Sequence, residues 1–321
     1  MLASISSVAG MSLVGSIFGT VAWYQYSTRA TASIMGSDAA VSENLQITLG
    51  NGTTGANWKT DLTRNDIYNY MKDPTGTDMA FAVKPCTNVG AEKTENGGDK
   101  FVLNKDGALG TFYSHPVYQY ADYTQWNTTT SDYIQFDLTL KSNVKGKYTW
   151  GDKSLPVYLA DLKIVQSGDK TDITDAVRVH FSAKSSKDNS VVNTLVSKNG
   201  GDTLTNGKLD LNGDSKDDTP KEKYDFDGEQ TALTYGHDGS KQTSYKFETE
   251  VKPTVDAKGK LSGGHALGTL YEDSTLTVTV TMWLEGWQKF GTNDQFSSIW
   301  DLGHINSDFN VGMTFAVMTL D

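Results

Sequence analysis

The sequence predicts an all-β protein, an antiparallel sandwich of jelly-roll type, and three observations lead there. Thr, Tyr, Val and Trp recur along the 321 residues, and no long Ala/Leu/Glu/Lys block of helical character interrupts them; such residues suit a pleated, half-buried surface. Apolar residues alternate with polar ones over segments of five to nine residues, the period-2 signature of strands with one buried face. Between these segments lie Asn51-Gly52, Asn96-Gly97-Gly98, Asp106-Gly107, Asn206-Gly207, Asp238-Gly239 and Gly263-Gly264, the dipeptides that supply positive φ in tight turns.

The chain opens on an apolar leader, residues 1–22, ahead of a single β domain spanning residues 23–321. No charged side chain precedes Arg29, and Leu2 to Tyr26 is apolar or small, with Gly10, Ser12, Gly15, Ser16 and Gly19 in its middle. That length suffices to span a bilayer, yet the run is weakly hydrophobic and lacks the basic n-region of a secretory signal. Three readings stand: a cleaved export signal, a helix retained in a membrane or in the core, or a segment that packs on a neighbouring subunit. Thr20-Val21-Ala22 and Ala30-Thr31-Ala32 both offer small-residue cleavage sites. Gly15 and Gly19 make the G-x-x-x-G spacing that lets helices approach closely. Contact with a membrane is expected only through residues 1–25, and only where they are retained.

The strands follow in order. Leu45, Ile47 and Leu49 alternate first, then Ile134, Phe136, Leu138 and Leu140, then Val177, Val179 and Phe181, then Tyr245, Phe247, Thr249 and Val251. Two longer runs close the chain: Leu276, Val278, Val280, Met282 and Leu284, and Val311, Met313, Phe315 and Val317. Residues 79–84 and 156–165 are less regular candidates. Leu62, Ile67, Tyr68 and Met71 fall near helical spacing and predict a short helix over Asp61 to Met71. Residues 183–230 are rich in Ser, Lys, Asp, Asn and Gly and poor in apolar residues, and predict an exposed polar insertion. No βαβ alternation and no fixed-period repeat is present, which favours the antiparallel sandwich.

The net charge is -11 and the pI about 4.9. So acidic a chain is a poor partner for nucleic acid or anionic lipid through charge; no nucleic acid is expected. Cys86 is the only cysteine, which excludes an internal disulfide and a cysteine-based zinc site. A buried small hydrophobe is its expected role.

The sharpest local pattern is Asp210-Leu-Asn212-Gly-Asp214-Ser-Lys-Asp-Asp218. Oxygen ligands at alternating positions are how calcium loops wrap a hard cation. Ser215 replaces the turn glycine at position six, Lys221 stands where a bidentate Glu belongs, and no helices flank the run. The run is therefore a poor match to an EF-hand. An Asp-rich calcium turn through Asp210, Asn212, Asp214 and Asp218 is one expectation, a solvated acidic loop the other.

Catalytic patterns are missing. Ser167-Gly168-Asp169-Lys170 fits S-x-x-K, but Gly168-Asp169 reads as a hairpin turn and offers no pre-organised pocket. His115, His180, His237, His265 and His304 show neither i, i+4 pairing nor ligand spacing, and His180 alternates within a strand. No carboxylate pair is singled out for glycosidase chemistry. The expectation is that the protein is not an enzyme. Trp58, Tyr113, Tyr118, Tyr120, Tyr123 and Trp126 could stack on sugars or on a partner, or fill the core; the dense group at 112–126 is an interface candidate. Asn51-Gly-Thr53 and Asn127-Thr-Thr129 match the glycosylation acceptor by pattern.

The two ends of the chain together resemble the TasA/camelysin-type secreted fibre-forming proteins. The similarity lies in Gly19-Thr-Val-Ala22-Trp-Tyr-Gln-Tyr-Ser-Thr28 ahead of Leu45-Gln-Ile47, and in Leu276 to Leu284 with Trp283-Leu-Glu285-Gly286-Trp287, then Phe309 to Val317. It covers about a fifth of the chain, by motif. On this resemblance Ala22 would be the cleavage residue and Trp23 the new N-terminus. Trp23, Tyr24 and Tyr26, with Tyr118, Tyr120 and Trp126, would then be interface residues. It further implies a subunit that polymerises with copies of itself into extracellular fibres, as in a biofilm matrix, by β-strand addition. The expected location is secreted or cell-surface. A jelly-roll viral capsid or coat protein, located in the virion, is the alternative, and a carbohydrate-binding or adhesive module the second alternative.

Overall fold

The computed structural model describes residues 30–34, 45–53, 55–71, 85–88, 90–93, 99–102, 108–112, 132–142, 154–168, 173–200, 203–205, 208–210, 244–255, 261–286, 288 and 307–317. Sixteen strands are placed among them. In chain order β1 is Ala30–Ile34, β2 Leu45–Leu49, β3 Gly90–Lys93, β4 Asp99–Val102, β5 Ile134–Ser142, β6 Ser154–Gly168, β7 Val177–Ser185 and β8 Val191–Ser197. They continue as β9 Thr203–Thr205, β10 Lys208–Asp210, β11 Tyr245–Lys246, β12 Thr254–Val255, β13 Leu261–Ser262, β14 Ala266–Tyr271, β15 Thr275–Leu284 and β16 Ser307–Val317. One helix, α1 (Arg64–Met71), lies between β2 and β3.

Two sheets carry the fold. The larger has the order β11-β8-β7-β15-β5-β2, the smaller β1-β16-β6-β14. Long ladders such as Leu276–Leu284 of β15 on Ser185–Val177 of β7 are antiparallel. Among the described strands, the edge strands β1 and β11 alone pair in parallel, with β16 and β8. The sheets face one another across a core built by alternation. Leu138, Val179, Phe181, Val278 and Val280 come from the larger sheet, and Val157, Leu159, Leu270, Val311 and Phe315 from the smaller. Phe181 meets Phe315 edge-to-face between the layers, ring centroids 6.2 Å apart. At Gly268 of β14 the approach to β15 is close: a Cβ there would sit 2.8 Å from Leu276 Cδ1.

The sides of the sandwich are closed by non-strand segments. On one, Ile47 of β2 exchanges backbone hydrogen bonds with Lys59 (2.8 and 2.9 Å), and α1 lies against β1 with Ile67 buried. Thr63 caps α1 reciprocally with Asp66: the Thr63 amide donates to Asp66 Oδ2 (2.9 Å) and the Asp66 amide to Thr63 Oγ1 (3.3 Å), a capping box. On the other, Phe247 and Val251 fill the core from a π-helical turn, Phe247–Val251.

Two expectations need correction. The run Tyr245 to Val251 alternates like a strand, but only Tyr245 and Lys246 pair, with Val196 and Ser197; the Lys252 amide donates to Phe247 O (2.9 Å) and closes a π turn, and the Lys246 amide donates to Glu250 Oε2 (2.6 Å) at its start. Residues 183–197 are also not part of an exposed insertion. They finish β7 and form β8 within the larger sheet, where Ala183, Leu195 and Val196 are buried. Their polar composition reflects a hairpin tip and an outward face. The leader 1–22 and the strand candidate 79–84 lie outside the described residues.

Candidate functional site

The outward face of the larger sheet carries the densest chemistry. Along β15 the even positions enter the core, so Thr275, Thr277, Thr279, Thr281 and Trp283 line up on the other face. Opposite them on β5 stand Lys141, Thr139, Asp137 and Gln135. The side chains pair across the ladder: Gln135 Nε2 donates to Thr281 Oγ1 (2.9 Å), Thr279 Oγ1 donates to Asp137 Oδ1 (2.6 Å), and the Thr139 and Thr277 hydroxyls lie 3.2 Å apart. Such cross-strand pairs hold register.

This face is partly roofed by the long connection between β2 and β5. Cys86 and Phe112, from that connection, form a second apolar cluster with Trp283 of β15 and Leu195 of β8. Phe112 stacks on Tyr133 (4.2 Å) and meets Trp283 edge-on (5.1 Å). The roof is tied to the sheet by backbone: Cys86 N–H donates to Leu284 O and Gly286 N–H to Cys86 O, both 2.9 Å. Beneath it Trp283 Nε1 donates to Glu285 Oε2 (3.2 Å), and Arg178 gives one nitrogen to Asp175 O (2.7 Å) and another to Gln288 Oε1 (2.9 Å). Arg178, Glu285 and Gln288 are all buried. Buried charged groups persist only when so hydrogen-bonded.

Burial, chiefly, and the Glu285 and Asp132 carboxylates raise the Cys86 pKa far above the thiol range, so no thiolate nucleophile forms there. Sequence reasoning missed Arg178, Glu285 and Gln288 as a group, because they meet only when the start of β7 and the segment after β15 come together. The Trp283-Leu-Glu285-Gly286 run was the one available signal.

Other expected positions are scattered. His180 lies in β7, 2% exposed, directly opposite Thr281. His265 stacks on Tyr245 (4.9 Å) and reaches Thr194 Oγ1 (3.0 Å); burial lowers its pKa. Trp58 is half-buried and holds the Lys141 ammonium 4.0 Å above its ring, so one stacking surface is taken. Ser167 and Gly168 lie within β6, where Ser167 pairs with Asp308, and Lys170 lies outside the described residues. Asp210 ends β10. Asn212, Asp214 and Asp218, and the interface candidates Trp23, Tyr24, Tyr26, Tyr118, Tyr120 and Trp126, lie outside the described residues.

Among the described residues no group of three or more His, Cys, Asp or Glu is arranged to hold a metal, and no helix is long and apolar enough to cross a membrane. No protein-family model, curated protein or solved structure matches the chain.

Proposed function

We propose that this protein is a non-enzymatic, self-assembling structural subunit of an extracellular filament, a jelly-roll-type sandwich that polymerises by β-strand addition. One observation carries the reading. The first described strand, β1, is a five-residue edge strand laid in parallel along β16, from Ala30 opposite Phe309 to Ile34 opposite Met313. Its pairing is backbone hydrogen bonding to a sheet edge, and a second copy can supply the same bonds in the same register. Residues 35–44 separate β1 from β2, which belongs to the other sheet. An edge strand on such a connection can be exchanged between identical subunits at low energetic cost.

Negative-stain microscopy of the purified chain tests this, beside an Ala32→Pro variant that removes one strand donor from β1. Filaments from the parent and monomers from the variant support the reading. Closed particles would turn it to a capsid or coat, and monomers at high concentration that bind sugar to a carbohydrate module. Mass spectrometry of the mature N-terminus places the boundary: a chain beginning at Trp23 fits export with cleavage after Ala22. For Asp210, Asn212, Asp214 and Asp218, a melting temperature unchanged by chelator removes calcium from the account.

A further inference from the structure

We propose that Thr281 and Gln135 are joined, after folding, by an ester bond that the protein forms on itself, with His180 as the base. Three observations place the reacting groups together. The Gln135 amide nitrogen lies 2.9 Å from Thr281 Oγ1, so the amide carbon is one covalent bond further on. Thr281 is 0% exposed, and its other neighbour across the ladder is His180, itself buried; directly opposed residues in antiparallel strands have Cβ atoms about 4.5–5.5 Å apart. The trio borders the apolar roof of Phe112, Tyr133, Trp283 and Leu195: Tyr133 lies two residues before Gln135, Trp283 two after Thr281, and Leu195 is paired with His180. Of the three cross-strand pairs on β5 and β15, this one alone sets a hydroxyl against a carboxamide, a nucleophile against an acyl donor.

The ladder does the positioning. The Thr279–Asp137 and Thr139–Thr277 pairs fix the register on one side, so the hydroxyl and the amide meet without further search, the condition under which intramolecular acyl transfer is fast. The Thr281 oxygen adds to the Gln135 Cδ carbon while its proton passes to His180. The Cδ–N bond then breaks, the nitrogen takes the proton from His180, and ammonia leaves. One C–O bond replaces one C–N bond, His180 returns to its starting state, and no oxidant or cofactor is needed. Ammonia escapes to solvent and is protonated there, which draws the exchange forward. The product staples β5 to β15 covalently. It stands independently of the filament reading.

The test is the intact mass of the full chain, purified folded and then denatured. The expected mass is about 17 Da below that of the sequence, the loss of one ammonia. Asn51-Gly52 can lose ammonia by succinimide formation, so two variants separate the sources: Thr281→Val, which keeps the shape, and Gln135→Met, at an exposed position. Both should restore the full mass while retaining a cooperative melting transition. Fragment spectra of the parent should show the peptide containing residue 135 joined to that containing residue 281, opened by hydroxylamine. In His180→Gln the deficit should develop about a hundredfold more slowly after refolding. A parent of full mass after prolonged incubation of the folded chain, or a deficit that survives Thr281→Val, overturns the proposal. An unchanged rate in a folded His180→Gln overturns the role of His180.

Discussion

Trp283 donates its indole N–H to Glu285 Oε2 at 3.2 Å, between two side chains that are each 1% exposed. The bond sits at the end of β15, where the outward face of the sheet meets its roof. It lets a bulky aromatic and a carboxylate be buried side by side. Trp283→Phe keeps the ring contact with Phe112 and removes the donor. The expected loss is about 1–3 kcal/mol, the usual consequence of depriving a buried acceptor of a partner, read from urea unfolding at unchanged m-value.

Cys86 is sealed by the same cluster and 0% exposed. Its thiol should be inert to a disulfide reagent in the native state and react at the rate of unfolding. Rapid labelling in buffer, without denaturant, would show that the roof opens on its own.

The α1 cap predicts an acid-sensitive contribution. The Lys59 hydrogen bond first, then the Thr63 amide and hydroxyl, hold Asp66 at about 2, below its ordinary 3.8. A depressed folded-state pKa stabilises above the unfolded value and loses that stabilisation as pH falls through the folded one. The contribution is therefore complete above about pH 4 and gone below about pH 2. Asp188, held at about 2 by the hydroxyl and then the amide of Ser190, follows the same window. Thr63→Ala should cost about 1 kcal/mol at neutral pH, and the difference from the parent should shrink in acid, where the Thr63 hydroxyl loses its carboxylate acceptor but still caps the Asp66 amide.

Two adjacent glycines give a matched comparison. Gly263 and Gly264 both have positive φ, at 64° and 72°. A Cβ on Gly264 would lie 2.8 Å from Pro253 N and Val251 O, whereas one on Gly263 meets nothing within 4 Å. Gly263→Ala should cost about 1–2 kcal/mol for the left-handed backbone alone. Gly264→Ala should cost clearly more, because rigid backbone must move. Equal melting temperatures would contradict the close approach.

Across the layers, Phe181→Ala should lose about 3–5 kcal/mol by leaving a cavity against Phe315. Val165→Ala, at a 55% exposed position on β6, should change stability by less than about 0.5 kcal/mol. Thermal melts of the two variants check both.

Much of the sandwich was legible before any coordinates. Ile134 to Leu140, Val177 to Phe181, Leu276 to Leu284 and Val311 to Val317 all lie in strands with the alternate residues in the core. Period-2 alternation reports a local property, one face buried and one not, so it survives without knowledge of the partner. The helix at α1 was legible for a similar reason, since its apolar spacing is local. The alternation of Tyr245 to Val251 misled because the chain leaves the ladder for a π turn, closed by the Lys252 amide on Phe247 O, that a period count does not see. The polar composition of 183–197 misled because half of a hairpin in a two-layer sheet faces outward.

Alternation and turn residues alone thus determined that this chain is all-β and where most long strands run. Which strand pairs with which, and what lies on the outer face, only the tertiary structure decided. Arg178, Trp283, Glu285 and Gln288 are polar or amphipathic positions that a strand pattern assigns to solvent. Trp283 is buried because Cys86 and Phe112, from a connection distant in sequence, pack against it, Glu285 bridges to Cys86, and Arg178 and Gln288 are buried hydrogen-bonded to each other. Likewise Thr281 alternates as an ordinary outward threonine, and only the register of β5, β15 and β7 sets it between Gln135 and His180. Pairing is a long-range choice, made by the energy of a whole core, and a local pattern is satisfied equally well by many of its outcomes.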